Sequence, residues 1–183
     1  MNDRIHLITG NVGKAAEFER LMGVRVSPTK LELDEVQAID LETVAVKKAT
    51  DAFSRLNEPV FVDDSGIVFN SWNGLPGALT SWFLDSVGND GLLRMLASFE
   101  DRGATAVTVL AYCDEDGVRT FRGSVSGSIA RAEMGSNGFG YDAIFIPGAA
   151  RLTFAEMSNE EKDLYSMRAI AAGRLREFLR SRS

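Results

Sequence analysis

A short glycine-containing segment, Thr9–Lys14 (TGNVGK), follows an apolar stretch and precedes a helical pattern. Its glycines let the backbone approach an anion, and the free N–H groups of a first helical turn favour phosphate. Lys14 adds a positive charge. The segment lacks the spacing of a Walker A loop, and Ala15 stands where that loop has Ser or Thr. The pattern indicates a phosphate-binding turn, and an ordinary strand–turn–helix junction is the alternative.

Two adjacent carboxylates, Asp63 and Asp64, follow the apolar run Val60–Val62 and precede Ser65 and Gly66. Such charges at the end of a buried strand are costly unless something compensates them. Successive strand side chains point to opposite faces, so one carboxylate can face a ligand while the other accepts hydrogen bonds from the scaffold. Carboxylate oxygens are preferred ligands of Mg²⁺. The residues predict a metal or general-base site, with a solvated turn as the alternative.

A magnesium ion would need further oxygen ligands, and an acidic stretch precedes the second helical pattern. For most of its carboxylates a charged surface loop is the better interpretation, while one or two could turn inward. The stretch contains Glu32, Asp34, Glu35, Asp40 and Glu42.

A second glycine-rich segment, Gly135–Asp142 (GSNGFGYD), carries the aromatic residues Phe139 and Tyr141 among three glycines. An aromatic face can stack on a planar ring such as a nucleobase. The alternative is that both aromatic side chains fill the core beneath a loop.

The last helical pattern begins at a capping box formed by Ser158 and Glu161. Lys162 and Arg168 near its start could bind a ligand, with surface solvation or a salt bridge as the alternative, and Met167 by its position alone is a core residue. The apolar stripe comprises Leu164, Met167, Ala171, Leu175 and Phe178.

The whole composition excludes several classes of protein. The 183 residues have a net charge of -6, 45% hydrophobic and 25% charged residues, values typical of one soluble globular domain spanning 1–183. The acidic balance argues against a nucleic-acid-binding face, and no apolar run approaches the roughly 18 residues of a membrane span. His6 is the only histidine and Cys113 the only cysteine, which disfavours zinc, Ser–His–Asp and Cys–His sites. The single cysteine fits a reducing, cytoplasmic location.

Strand and helix patterns alternate along the first half of the chain, and a hairpin and a long helix follow. This order predicts an α/β fold with a mixed central sheet flanked by helices. The predicted strands are 4–9, 24–26, 60–62, 104–113, 118–129 and 143–146, with 67–69 as an extended continuation of the third. The predicted helices are 14–22, 41–56, 78–87, 91–99 and one from 158 to the C-terminus.

Taken together, four blocks in order resemble the inosine and xanthosine triphosphate pyrophosphohydrolases, which act on purine nucleotides outside the standard set. Each block alone is weak, but the ordered set is specific, and the resemblance extends from Ile5 to Phe178. The blocks are TGNVGK (Thr9–Lys14), FVDDSG (Phe61–Gly66) followed by NGLPG (Asn73–Gly77), NGFGYD (Asn137–Asp142) and TFAEMSNEEK (Thr153–Lys162).

The resemblance implies hydrolysis of ITP, dITP and XTP to the monophosphate and pyrophosphate. It also implies Mg²⁺ as cofactor, a homodimer, and an elongated fold of two lobes with the site in the cleft between them.

The resemblance further implies roles for individual residues. Asp64 would be the general base and a metal ligand, and Glu35 would be a second metal ligand, with Glu42 as its rival. The triphosphate would be held by Thr9, Gly10, Asn11, Lys14 and Lys47, with Ser65 also on the substrate. The base would be held by Phe139, Gly140, Tyr141 and Asp142, with Tyr141 as the stacking ring, and contacted by Lys162, Met167 and Arg168.

The chain departs from the family pattern at one position. The family usually has Ser-His-Arg where this chain has Ser166, Met167 and Arg168. The missing imidazole removes a hydrogen-bonding group near the 6-keto side of the purine. A site that discriminates by hydrogen bonds loses selectivity when one is removed, so the change bears on the discrimination of keto from amino purines.

Overall fold

A computed structural model describes residues 4–34 and 36–182 of the chain. The described residues form a mixed seven-stranded sheet, which confirms the predicted α/β class. The strand order is β2-β1-β3-β5-β6-β7, with β4 paired to β3. The strands are β1 Arg4–Ile8, β2 Arg25–Thr29, β3 Val60–Phe69, β4 Pro76–Gly77, β5 Gly103–Asp114, β6 Gly117–Ile129 and β7 Phe145–Pro147.

Parallel and antiparallel pairs occur in the same sheet. β1 pairs with β2 and with β3 in parallel, whereas β4 pairs with β3 and β7 pairs with β6 in the antiparallel direction. The parallel pairs need crossover connections, which α1 and α2 supply. The helices are α1 Val12–Met22, α2 Leu41–Leu56, α3 Thr80–Met95, α4 Asn159–Asp163 and α5 Met167–Ser181.

The chain divides into two compact units. The first takes the chain up to Asp64, Thr108–Gly123 and the chain from Arg168, and the second takes Ser65–Val107 and Ser124–Met167. Each unit has its own apolar core. The core of the first unit packs α1, α5 and the sheet together around Leu7, Phe18, Phe61, Leu110 and Leu175.

Two predicted helices differ from the structure. The helices expected at 78–87 and 91–99 are one segment, α3, with a kink at Gly88, whose φ of 64° departs from helical geometry. The expected C-terminal helix is split into α4 and α5. Leu164 therefore lies at the end of α4 and is 80% exposed, so its predicted place on the apolar stripe is wrong.

The capping box at the start of α4 is confirmed. The Ser158 hydroxyl accepts from the backbone N–H of Glu161, and the Glu161 carboxylate accepts from the backbone N–H of Ser158. Each bond satisfies a donor that the helix itself leaves open. Among the described residues, no helix combines the length and the apolar character that crossing a membrane requires.

Candidate functional site

The turn between β1 and α1 is built by its own polar side chains. Asn11 is the N-cap of α1, and its Oδ1 accepts from the backbone N–H of Lys14 at 3.2 Å. The Thr9 hydroxyl accepts from the backbone N–H of Asn11 at 3.0 Å. Gly10 lies exposed between them. These bonds fix the backbone of the turn and leave its outer face open at the N-terminus of a helix, where anions are favoured.

The two adjacent carboxylates on β3 contact different helices. Asp63 Oδ2 lies 2.9 Å from Nζ of Lys14, the third residue of α1, whereas Asp64 Oδ1 lies 2.9 Å from Nζ of Lys48 on α2. Phe61, two residues before Asp63, belongs to the core shared by α1 and α5. The two neighbouring side chains therefore point to different helices, as the alternation of side chains along a strand predicts.

Asp64 is a buried carboxylate with only part of its charge compensated. Burial raises its pKa above the ordinary value, while the Lys48 ammonium opposes the shift and the neighbouring Asp63 adds to it. Its Oδ2 is buried and has no hydrogen-bond partner among the described residues. A carboxylate with one occupied and one open oxygen, and with an increased affinity for a proton, has the properties of a general base or a cation ligand.

The lysine beside Asp64 is the one that the sequence analysis missed. Lys47, the predicted phosphate ligand, is exposed on α2, and Lys48 is half-buried. Successive helix residues are separated by about 100°, so only one of two neighbours can face the sheet. Lys48 follows the buried Leu41 by two turns and Ala45 by three residues, and this spacing was the available signal.

Arg168 is held inside the first unit. Its guanidinium donates to both carboxylate oxygens of Glu17, at 3.2 and 2.9 Å, and lies 3.4 Å from Asp63 Oδ2. The guanidinium also lies 5.9 Å from the centroid of the Phe18 ring. The Arg168 side chain is only 4% exposed. It is therefore part of a fixed ionic group with Glu17, Asp63 and Lys14, and Glu17 is a further member that the sequence analysis missed.

Two carboxylates, Glu35 and Glu42, are the predicted candidates to complete a metal site with Asp64, and the structure describes only Glu42. Glu35 lies outside the described residues. Its rival, Glu42, is exposed and accepts a hydrogen bond from the Thr120 hydroxyl at 2.6 Å. Within 4–34 and 36–182, no three His, Cys, Asp or Glu side chains gather as a metal-binding group. Asp64, whose buried Oδ2 has no hydrogen-bond partner among the described residues, could give one oxygen ligand to a hard cation.

The glycine-rich segment Gly135–Asp142 is bonded by its backbone to the segment Thr153–Met157. Ala155 accepts from the N–H groups of Ser136 and Asn137, at 3.1 and 3.0 Å, and its own N–H donates to Asp142. The amide side chain of Asn137 donates to the carbonyl of Met157. Two of the blocks noted in the sequence therefore form one rigid structure in the second unit.

Asp142 is the centre of this structure. Its Oδ2 accepts from the backbone N–H of Phe139 at 2.9 Å and from the Lys162 ammonium at 2.6 Å. A Cβ at Gly138, whose φ is 79°, would collide with the Asp142 carboxylate. The predicted residues Asp142, Lys162 and Phe139 are thus brought together, and the glycine is required for their contact.

The two aromatic residues of the segment have different positions. Phe139 is 53% exposed, with the Lys162 ammonium 5.7 Å from its ring centroid. Tyr141 is 7% exposed in the core of the second unit, and its hydroxyl donates to the carbonyl of Gly66. Phe139 is therefore the exposed ring of the segment, and Tyr141, predicted as the stacking ring, is a core residue.

The remaining predicted positions belong to the second unit. Ser65 is half-buried and follows Asp64 on β3. The carbonyl of Gly140 accepts from the side-chain amide of Asn89 at 3.0 Å, so Gly140 helps to fix the glycine-rich segment. Met167 is buried in the core with Phe145 and Phe154, as the apolar stripe predicts.

Comparison with known proteins places this fold and these residues in one class. A model of the Ham1 family matches residues 5–178. The chain belongs to the Ham1 family.

Relatives and solved structures of that family match the chain over nearly its full length. The inosine triphosphate pyrophosphatase of Yarrowia lipolytica is 43% identical, covering 94% of this chain and 93% of that protein. The dITP/XTP pyrophosphatase of Methanopyrus kandleri is 37% identical, covering 97% of each. The Ham1 protein of Staphylococcus aureus superimposes with a TM-score of 0.87 at 30% identity, covering 98% of this chain and 100% of that one. The resemblance noted in the sequence is confirmed.

Proposed function

We propose that the protein hydrolyses ITP, dITP and XTP to the nucleoside monophosphate and pyrophosphate. In this reaction water adds across the anhydride between the α- and β-phosphates. That P–O bond breaks, the oxygen of water remains in one product, and the proton passes to a base. The names of the relatives supply the substrate class, and the carboxylate of Asp64 supplies a group suited to take the proton.

The observation that carries the proposal is the environment of Asp64. The side chain is largely buried within β3, Lys48 contacts one oxygen, and the other, buried oxygen has no hydrogen-bond partner among the described residues. Its raised pKa increases its affinity for the proton of an attacking water. Lys48 keeps the carboxylate in place and adds positive charge where a polyphosphate would accumulate negative charge.

The turn Thr9–Lys14 binds the triphosphate. The turn lies at the N-terminus of α1, where the helix dipole favours an anion, and Lys14 adds a point charge. Thr9 and Asn11 fix the turn, and Gly10 lets the phosphates approach the main chain. We assign the lysine of α2 to Lys48 instead of Lys47, because Lys48 is the one that contacts Asp64.

Mg²⁺ is the proposed cofactor. Bound Mg²⁺ would neutralise phosphate charge and orient the substrate. The open oxygen of Asp64 fits this ion, which is commonly held by one or two carboxylates together with substrate phosphates and water. Glu35 remains the proposed second ligand.

The base is bound by Phe139 stacking on its face, with Asp142 and Lys162 at its polar edge. Asp142 and Lys162 already bond each other, so they form a fixed donor–acceptor pair. Tyr141 and Met167 support these groups from the core of the second unit, and Gly140 supports them through its bond to Asn89. Arg168 belongs to the ionic group of the first unit. We also propose that the protein is a homodimer and acts in the cytoplasm. Sedimentation of the purified protein tests the homodimer.

A second candidate is a pyrophosphatase of broader nucleotide specificity. It is favoured by Met167, which replaces the histidine that is usual in the family and offers no hydrogen bond to a 6-keto group. This candidate keeps the same reaction and changes only the preferred base.

The test is a substrate panel. The protein is incubated with ITP, XTP, GTP, ATP and dUTP in the presence of Mg²⁺, and pyrophosphate and monophosphate are measured. We expect ITP and XTP to be cleaved fastest, and Asp64→Asn to lower turnover by about 10²–10⁴-fold. Equal rates with ITP and ATP support the second candidate. Tight nucleotide binding with no product from the wild type contradicts both and indicates a binding protein.

A further inference from the structure

Asp63 is a buried carboxylate that the proposed reaction does not use. Its side chain is 1% exposed, so its charge requires compensation within the protein. Lys14 lies at 2.9 Å and Arg168 at 3.4 Å, both at the same oxygen, Oδ2. One carboxylate thus joins the lysine of the β1–α1 turn to an arginine of α5.

The two cations differ in how firmly they are held. Arg168 is buried, donates twice to Glu17 and lies against the ring of Phe18, so its position does not depend on Asp63 alone. Lys14 is 23% exposed. A lysine side chain is long and has several rotatable bonds, and fixing it costs conformational entropy when a ligand binds.

We propose that Asp63 is a positioning residue for the polyphosphate. It holds the Lys14 ammonium in one place against the fixed Arg168, so that part of the entropic cost of binding phosphate is met before the substrate arrives. Asp63 is neither the base nor a metal ligand in this assignment. The inference rests on the proposed function, because it takes the ligand of Lys14 to be the polyphosphate of a nucleotide.

The kinetic test compares Asp63→Asn with Asp51→Asn. The substitution at position 63 keeps the shape of the side chain and removes its charge, whereas Asp51 forms an exposed pair with Arg55 on α2 and serves as the control. We expect Asp63→Asn to raise KM for ITP about tenfold, the equivalent of one charge-assisted contact, and to leave kcat within about threefold. The Asp51 variant is expected to match the wild type.

A double-mutant cycle tests whether the effect passes through Lys14. In a Lys14→Met background, Asp63→Asn should change KM by less than about twofold, because the side chain it positions is gone. A full tenfold effect in that background overturns the proposal. A fall in kcat of more than about 100-fold with unchanged KM also overturns it, because that result assigns Asp63 to the chemical step or to the metal.

A second readout is independent of activity. Acetylation of lysines in the folded, nucleotide-free protein is followed by mass spectrometry. Asp63→Asn should increase the labelling rate of Lys14 several-fold and leave Lys162, which is bonded to Asp142, unchanged. Unchanged labelling of Lys14 overturns the proposal, even if ITP proves not to be a substrate. Inactivity of the wild type together with increased Lys14 labelling contradicts the proposed function and leaves the positioning of Lys14 supported.

Discussion

The ammonium of Lys48 lies 2.9 Å from Oδ1 of Asp64, so this largely buried carboxylate within β3 is tied to α2. Lys47, its neighbour on the same helix, is exposed. The two lysines form a natural matched pair for mutagenesis. We expect Lys48→Met to lower kcat/KM for ITP by about 100-fold through loss of a charge-assisted bond at the reacting group, and Lys47→Met to lower it by less than about threefold.

Steady-state kinetics on the two purified variants checks this prediction. Thermal unfolding of both variants serves as the control for folding. A larger loss for Lys47→Met than for Lys48→Met would contradict the assignment of Lys48.

Substitutions of Phe139 and Tyr141 should affect different properties: nucleotide binding for Phe139 and stability for Tyr141. Phe139→Ala removes an exposed ring, so we expect KM for ITP to rise about tenfold through lost stacking while the melting temperature changes little. Tyr141→Ala leaves a cavity in the core and should lower the free energy of unfolding by about 3–5 kcal/mol. Urea unfolding and ITP kinetics measure the two effects, and the reverse pattern would restore Tyr141 as the stacking ring.

Met167→His introduces, at a buried position, the residue that the family resemblance leads us to expect there. An imidazole with no partner in an apolar core costs about 1–3 kcal/mol of stability, so we expect a lower melting temperature. We also expect the ratio of kcat/KM for ITP over ATP to rise, because a hydrogen-bonding group returns near the base. An unchanged ratio with a folded variant would show that position 167 does not determine the preference for keto purines. Met167→Leu, which keeps an apolar side chain, is the matched control.

Tyr112 should make the protein sensitive to alkaline pH. Burial, with a hydrogen bond to the Asp114 carboxylate, raises the pKa of Tyr112 from 10.0 to about 12. Below pH 10 the phenol is neutral in both states and its contribution to stability is complete. Above that pH the unfolded phenol ionises first, so this contribution falls and is lost as the pH passes the folded value.

The measurement is urea unfolding of the wild type and Tyr112→Phe between about pH 9 and pH 11.5. The difference in unfolding free energy between the two proteins should shrink by up to about 2 kcal/mol over this range, in favour of the variant at high pH. A constant difference would show that Tyr112 does not titrate with a raised pKa.

Local patterns in the sequence are enough to predict much of the fold and part of the candidate site. The Ser158 capping box, the two faces of Asp63 and Asp64, and the turn at Asn11 depend on residues a few positions apart, and each is found in the structure. These features depend only on the local geometry of a helix end or a strand. A single sequence is therefore enough to predict them.

Features that depend on distant partners cannot be predicted in this way. The family resemblance implies that Tyr141 is the stacking ring, but its hydroxyl donates to the carbonyl of Gly66, far away in the chain. Glu17 is part of the ionic group only because α5 brings Arg168 to it. Lys48, in contrast, could have been identified from the sequence. The helical period places Lys48, and not Lys47, on the buried side of α2.

The order in which the chain is made bears on the core of the first unit. Phe18 and Phe61 enter this core early in the sequence, and Ala171, Ala172 and Leu175 of α5 complete it. During synthesis, these early aromatic side chains leave the ribosome well before the helix that covers them. A polypeptide terminated before Arg168 would carry an unfinished apolar surface, which makes it a target for chaperones, aggregation and proteolysis.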